Sequence, residues 1–212
     1  MALKQEQLKE ALEKALEDKG KKKFTQSVEL ALNFKGINFS KPENRINLDV
    51  VLPKGRGKEM NVVVFADGQL AFDAKKAGAT VFGKDKIPEL AKDKLELKKL
   101  SGNSVFLAHP SLMMEVGKHL GQVLGTRDKL PKPVQEGKLE NMMGMVKKSV
   151  KLRNKGKNLP TVHCLVGSEN MSVDELKENI NAVMETVNGK VSEHNIESVF
   201  VKLTMGKPAR VM

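Results

Sequence analysis

The chain contains no tryptophan, no tyrosine and a single cysteine, and aromatic residues make up only 4% of its 212 positions. A binder of single strands that stacks base after base on aromatic rings is therefore not expected. Recognition of a folded RNA through shape and backbone needs fewer rings. Cys164 alone cannot close an intramolecular disulfide or build a cysteine metal cluster, which fits a reducing cytosol, and four scattered histidines do not supply a zinc site. No apolar run approaches the roughly 20 residues that span a bilayer. The opening Met1-Ala-Leu-Lys-Gln5 lacks the apolar core of a signal peptide, so a soluble, cytoplasmic protein without membrane association is expected.

Negative charge is also in short supply. Lys and Arg number 37 against 26 Asp and Glu, a net charge of +11 and a pI near 9.6, which favours a polyanionic partner. Nucleotide-binding fingerprints are missing: there is no Gly-x-x-x-x-Gly-Lys-Ser/Thr, and the turn after Val62–Ala66 reads Asp67-Gly-Gln-Leu70 without Gly-x-Gly-x-x-Gly. His163 and Cys164 are adjacent on a strand and point to opposite faces, so they cannot act directly as base and nucleophile. No catalytic grouping, cofactor or metal site is expected. A small-molecule-binding α/β enzyme is the alternative to an RNA-binding protein.

What is present falls into two grammars. The first opens with a helix over residues 2–19, on which Leu8, Leu12 and Leu16 make one stripe with Ala11 and Ala15. After Lys21, Lys22 and Lys23, the set Val28, Leu30, Leu32 and Phe34 alternates as a half-buried strand, as does Ile46 to Leu52, and the two strands suggest an antiparallel α+β unit. Pro53-Lys-Gly-Arg-Gly-Lys58 then breaks the pattern with three cations and two glycines. From Val62 the second grammar begins. Short apolar strands at Val62–Phe65, Thr80–Phe82 and Val105–Ala108 alternate with helical stretches at Leu70–Ala77, Ile87–Leu100 and Ser111–Leu124, which implies a parallel, doubly wound sheet.

Thr126 to Pro133 follows as an extended loop, held by two prolines, that carries Arg127, Lys129 and Lys132. Glu140 to Arg153 reads as a helix or a helix and strand, and Asn154–Asn158 as a linker. The first grammar returns with a strand at Thr161–Val166, the capping box Ser172-Val-Asp-Glu175 and a helix striped by Leu176, Ile180, Val183 and Val187. The expected fold is thus α/β and α+β in two domains. Residues 1–63 and 156–212, from both chain termini, form an α+β domain, and 64–155 form an inserted doubly wound, Rossmann-like α/β domain hinged at the two crossings.

The last stretch carries the most information. Val199, Val201, Leu203 and Met205 alternate with Phe200, Lys202 and Thr204, so an extended strand buries the first set and offers the second. Gly206 permits positive φ or close backbone approach, and Pro208 ends the strand in a turn bearing Lys207 and Arg210. A hydroxyl, a glycine and cations come together there.

Lys202-Leu-Thr-Met-Gly206 resembles the Thr-Met-Gly signature of the ribosomal protein L-one family. The resemblance extends through Phe24-Thr-Gln-Ser-Val-Glu29, Lys41-Pro-Glu-Asn-Arg45, Leu52-Pro-x-Gly-x-Gly-Lys58, Leu120-Gly-x-x-Leu-Gly125, Leu130-Pro-x-Pro133 and Val166-Gly167. The Lys-Pro-Glu-Asn-Arg loop is similar to the archaeal branch. The resemblance implies a non-enzymatic large-subunit protein of the mobile ribosomal stalk. Its terminal-segment domain would bind a folded site on the 23S rRNA, and its insert would reach toward exit-site tRNA and assist release of the deacylated form. The same surface would repress translation of its own operon mRNA through an rRNA-like structure.

The implied RNA surface comprises Lys23, Phe24, Ser27, Glu29, Thr204, Met205 and Gly206, to which the terminal strand and turn add Lys202, Lys207 and Arg210. An accessory contact falls on Gly125, Thr126, Arg127, Lys129 and Lys132. Off the ribosome a monomer is expected. Two segments depart from the family pattern: Lys207 separates Gly206 from Pro208, and Gly125-Thr-Arg-Asp128 stands where Gly-Pro-Arg-Gly is common.

Overall fold

The structure, a computed structural model, describes residues 5–135, 137–154 and 159–212. Leu8, Ala11, Leu12 and Ala15 line the buried side of α1 (Gln5–Leu16). Residues 2–4 of the expected first helix lie outside the described residues. In β1 (Ser27–Phe34) every second side chain is buried, as the sequence alternation requires. The chain then passes through β2 (Asn47–Val51) and enters the inserted segment.

There β3 (Asn61–Phe65), α2 (Gly68–Lys76), β4 (Thr80–Phe82), α3 (Lys86–Lys92), α4 (Lys94–Gly102), β5 (Ser104–Ala108), α5 (Met113–Thr126), β6 (Lys132–Pro133) and α6 (Leu139–Lys148) succeed one another. The return segment supplies β7 (Ser149–Arg153), β8 (Thr161–Ser168), α7 (Val173–Asn188), β9 (Ile196–Leu203) and β10 (Ala209–Arg210).

Contacts divide the chain into two compact units, Met1–Lys58 with Lys148–Met212, and Glu59–Lys147. These limits correct the expected 64–155 insert in two places. β3 begins at Asn61 and pairs in parallel with β4 and β5, so residues 61–63 go with the insert. β7 pairs antiparallel with β2, so residues 149–153 go with the terminal segments. The expected linker Asn154–Asn158 lies outside the described residues except for Asn154, whose side chain accepts from Ile46 N at 2.8 Å and donates to Leu159 O at 3.1 Å.

In the terminal-segment unit the sheet order is β10-β9-β1-β8, and β1 is antiparallel to both β8 and β9. A central strand from the N-terminal flank therefore gains both neighbours from the C-terminal flank, and neither flank makes this sheet alone. β2 does not pair with β1, contrary to the simplest reading of two consecutive strands. It forms a separate ribbon with β7. One core unites Leu8 and Leu12, the inward residues of β1, β8 and β9, and Leu176, Ile180, Val183 and Val187 of α7. The capping box that opens α7 is present: Ser172 Oγ accepts from Glu175 N at 3.2 Å and Ser172 N donates to Glu175 Oε2 at 2.9 Å.

The inserted unit is a parallel sheet of order β4-β3-β5-β6. Successive residues of β3 serve opposite faces. Val63 and Phe65 pack with residues of α3 and α5, whereas Val62 and Val64 pack with those of α2 and α6. A strand buried on both sides reads as an unbroken apolar run, which is why Val62–Phe65 shows no alternation. The single helical stretch expected over 87–100 is two helices. Asp93 leaves helical geometry at φ −94°, ψ 83°, and its Oδ1 accepts from Leu95 N and Glu96 N at 3.0 Å each, restarting the chain as α4.

Candidate nucleic-acid interface

The start of β1, the end of β8 and the end of β9 meet at one corner of the terminal-segment unit. Ser27 is opposite Ser168, Val28 opposite Leu203, and Glu29 stands between Lys202 and Leu165. The β1/β8 register slips between Val28 and Glu29, a bulge of the kind that re-aims side chains at a sheet margin. β9 ends at Leu203, and the next residues turn. Thr204 N donates to Ser27 O at 3.0 Å, while its hydroxyl accepts from Ser27 N at 3.1 Å and donates to Ser27 O at 3.3 Å. Ser27 and Thr204 are thereby fixed to each other across a separation of 177 residues.

That turn corrects one expectation and refines another. Met205 does not continue the buried set: the strand has already ended, and its side chain is 63% exposed. Gly206 does not adopt a left-handed φ. It is needed for close approach, because a Cβ there would sit 3.0 Å from Leu203 Cβ and 3.4 Å from Leu203 N, and Gly206 N donates to Leu203 O at 3.0 Å.

Behind the turn is a polar node that the sequence patterning did not single out. Gln26 is 1% exposed and Glu169 5% exposed. Gln26 Oε1 accepts from Met205 N at 3.0 Å, and its Nε2 donates to Asp18 O at 3.3 Å. Glu169 Oε1 accepts from Gln26 N at 3.0 Å, and Glu169 N donates to Gln26 O at 3.0 Å. One buried amide and one buried carboxylate thus tie the end of α1, the entry to β1, the end of β8 and the Met205 turn together. Buried polar groups of this kind are stabilising only when every donor and acceptor is matched, and here the matching sets the surface geometry.

Around this frame are the side chains expected to meet RNA. Lys23 and Lys207 are exposed, Lys202, Ser27 and Glu29 are half-buried, and Phe24 is 50% exposed, so it is no core residue. Arg210 is exposed too, but it stands farther along β10, opposite Phe200, and its Nε donates to Met212 O at 2.9 Å. Lys21 donates to Asp18 Oδ1 at 2.7 Å. That hydrogen bond and the lysine charge hold the Asp18 carboxyl below its usual range, Lys207 and Lys22 adding to the effect, so the lysine run and the terminal turn share one field.

A further limb reads in the sequence as a glycine-rich, basic break and as part of the family resemblance, but not as an RNA contact. Lys58 Nζ donates to Thr25 O at 2.9 Å and to Ser27 Oγ at 3.2 Å. Gly57, at φ +68°, presses on Ser168, whose Cβ would be 2.6 Å from a Gly57 Cβ. Asn179, fully buried on α7, donates to Gly55 O at 2.9 Å and Val166 O at 2.8 Å and accepts from Lys54 N at 3.0 Å. An asparagine inside an apolar stripe thus fixes both the basic loop and the β8 bulge.

The accessory residues belong to the inserted unit and differ from expectation. Gly125 and Thr126 are the last residues of α5, not loop residues. Arg127 Nη1 donates to Lys98 O at 3.0 Å and Ser101 Oγ at 2.6 Å, and Lys129 Nζ donates to Gly102 O and Ser104 O at 3.1 Å each. Both cations close the carboxyl end of α4, where free carbonyls and the helix dipole favour positive charge. Asp128 between them takes φ 55°, a left-handed geometry that glycine adopts more easily. Lys132 is half-buried in β6.

Cys164 is buried while His163 faces outward. Burial, aided by the Glu29 charge, pushes the Cys164 thiol up to about 12, so no thiolate forms near neutrality. At the carboxyl ends of β3 and β5, where doubly wound sheets hold ligands, Asp67 Oδ1 accepts from Lys84 N at 3.2 Å and His109 Nδ1 pairs with Ser111 Oγ at 2.6 Å. Among the described residues no helix is long and apolar enough to cross a membrane.

The fold and this corner define a two-unit α+β and α/β protein whose terminal segments jointly present a basic, glycine-containing surface. The chain belongs to the ribosomal protein L1p/L10e family, whose model matches residues 11–207. It is 42% identical to the large ribosomal subunit protein uL1 of Methanothermobacter thermautotrophicus, over 98% of this chain and 100% of the relative. It is 40% identical to the uL1 protein of Pyrococcus horikoshii, over 100% and 98%, and 43% identical to that of Methanothermococcus thermolithotrophicus, over 89% of each. The family is structural and non-enzymatic, which sets aside the α/β-enzyme alternative.

Proposed function

We propose that this protein is a structural component of the cytoplasmic large ribosomal subunit that binds a folded site on the large-subunit rRNA through the corner built from Lys23–Glu29 and Lys202–Arg210. The observation that carries this reading is the convergence there of a pinned backbone turn with exposed Phe24 and Met205 and the nearby cations Lys23, Lys202 and Lys207. Charge distribution supports it. The terminal-segment unit has 23 Lys and Arg against 15 Asp and Glu, net +8, whereas the inserted unit has 14 against 11, net +3. Cations supply phosphate attraction, and the fixed turn supplies the shape and hydrogen-bond matching that distinguishes one folded RNA from another. Glu29 fits such a surface because a carboxylate accepts from ribose 2′-hydroxyls.

By the same chemistry the surface recognises an rRNA-like structure in the protein's own operon mRNA and represses its translation. The inserted unit, held at the mobile stalk, meets exit-site tRNA and assists release of its deacylated form, with Lys132 and the Gly125–Lys129 segment as the accessory contact. Away from the ribosome the protein acts as a monomer. Footprinting of the purified protein on total rRNA tests the main reading. One compact protected site is expected, and scattered or absent protection overturns it. For repression, the protein should lower translation of its own message in a cell-free system, and excess rRNA fragment should restore it.

A further inference from the structure

The basic loop between Pro53 and Lys58 is anchored on both sides of one residue that is itself left unanchored. On one side, Asn179 bonds Lys54 N and Gly55 O, and Lys54 Nζ is 3.4 Å from Glu178 Oε2. On the other, Gly57 is packed against Ser168 and Met171, and Lys58 Nζ is held by Thr25 O and Ser27 Oγ. Gly55 and Gly57 both take left-handed φ, +74° and +68°, so the chain between them follows a path that L side chains resist. Arg56 stands at the centre. Its side chain is half-buried and makes no hydrogen bond or ion pair with any described residue.

A guanidinium carries five donors and is always charged. Removing it partly from water without a partner disfavours folding, and that burial pushes the Arg56 guanidinium below the ordinary arginine value. The surrounding loop is meanwhile held in one shape by its neighbours. An unpaired cation on a pre-formed backbone is what an anion-binding residue looks like before the anion arrives, since the ordering is complete in the free protein.

Position indicates which anion. Lys58, two residues on, shares Ser27 with Thr204, so the loop lies directly beside the turn assigned above to RNA. We infer that Arg56 is a phosphate-binding residue of this protein, gripping the backbone of the bound RNA in bidentate fashion from a loop that Asn179, Gly57 and Lys58 hold in place. The inference rests on the proposed function and adds to it a third limb, beside the Lys23–Glu29 and Lys202–Arg210 segments, that contributes affinity.

Arg56→Met tests it, because methionine keeps much of the aliphatic stem and removes the charge. Three quantities are read on the full-length protein: melting temperature, affinity for the rRNA site, and the slope of log affinity against log salt. The expected result is a melting temperature equal to or above the parent's, affinity about tenfold lower near physiological salt, and a slope shallower by about 0.7 to 0.9, the value of one phosphate contact. Lys118→Met, on an exposed position of α5, should leave affinity and slope unchanged. Unchanged binding and slope in Arg56→Met would overturn the inference. So would a lowered melting temperature with the parent's slope, which marks a structural role, or an equal loss in Lys118→Met, which marks a net-charge effect. If the parent itself fails to bind rRNA, the proposed function falls first; if the parent binds and Arg56→Met matches it, only the role of Arg56 falls.

Discussion

At the residue scale, the Thr204 hydroxyl already makes two bonds inside the free protein, accepting from Ser27 N and donating to Ser27 O. Alternation alone places this hydroxyl on the offered face of the strand, where it is free for a ribose. The structure gives it a prior task, and its remaining lone pair is what RNA could use. Thr204→Val, nearly isosteric, leaves Ser27 N without its side-chain acceptor. It is expected to reduce stability by about 1 to 2 kcal/mol and to weaken rRNA binding about tenfold with little change in salt slope. Thr204→Ser should retain most of both. Urea melts read beside filter binding check this, and a Val variant with the parent's midpoint and affinity would mean that the hydroxyl holds neither Ser27 nor RNA.

Much at the element scale was legible because hydrophobic period and cap chemistry are local. The alternation in β1, the stripe of α7 and its Ser172/Glu175 box needed nothing from distant residues. Gln26, Glu169 and Asn179 were not legible as site-builders. Their partners lie 124 residues or more away in the cases that matter, at 143 for Glu169 to Gln26, 179 for Gln26 to Met205 and 124 for Asn179 to Gly55, and a lone polar residue shows nothing of a distant carbonyl. The helix-end bonds of Arg127 and Lys129 were hidden for the opposite reason: a basic loop looks solvated until the helix end it covers is in view.

The capping box makes a prediction of its own. Bonds from Ser172 N and then from its hydroxyl hold the Glu175 carboxyl below its ordinary value. Because the folded value is the lower one, this contribution is complete above the unfolded value, near 4.3, and is lost as pH falls through the folded one. Glu175→Gln retains an acceptor but does not titrate. The urea midpoint of the variant should therefore fall less than the parent's between about pH 5 and pH 3. Parallel pH profiles would show that the box contributes nothing through its charge.

At the scale of the whole molecule, the buried clusters separate cleanly along the chain. Every residue of the largest one falls within Met1–Lys58 or Lys148–Met212, and the two clusters that flank the parallel sheet fall within Glu59–Lys147. The chain leaves and re-enters the terminal-segment unit at neighbouring points. Leu52 N donates to Lys148 O at 3.1 Å, and a Cβ on Gly55 would stand 3.7 Å from Lys148 Cγ. A short Gly/Ser linker can span that distance, so residues 59–147 are removable without cutting the larger core. The proposed RNA surface, the Gln26–Glu169 node and the Arg56 loop all remain, together with net +8 of the +11 charge. The shortened protein should give the same compact footprint on rRNA as the parent, with affinity within about tenfold and a salt slope within about one unit, the loss of at most one accessory phosphate contact. Circular dichroism and a cooperative urea transition establish that it has folded. A folded, shortened protein that has lost site-specific protection would move the principal RNA contact into the inserted unit and refute the assignment of affinity to the corner where Ser27, Thr204 and Met205 meet.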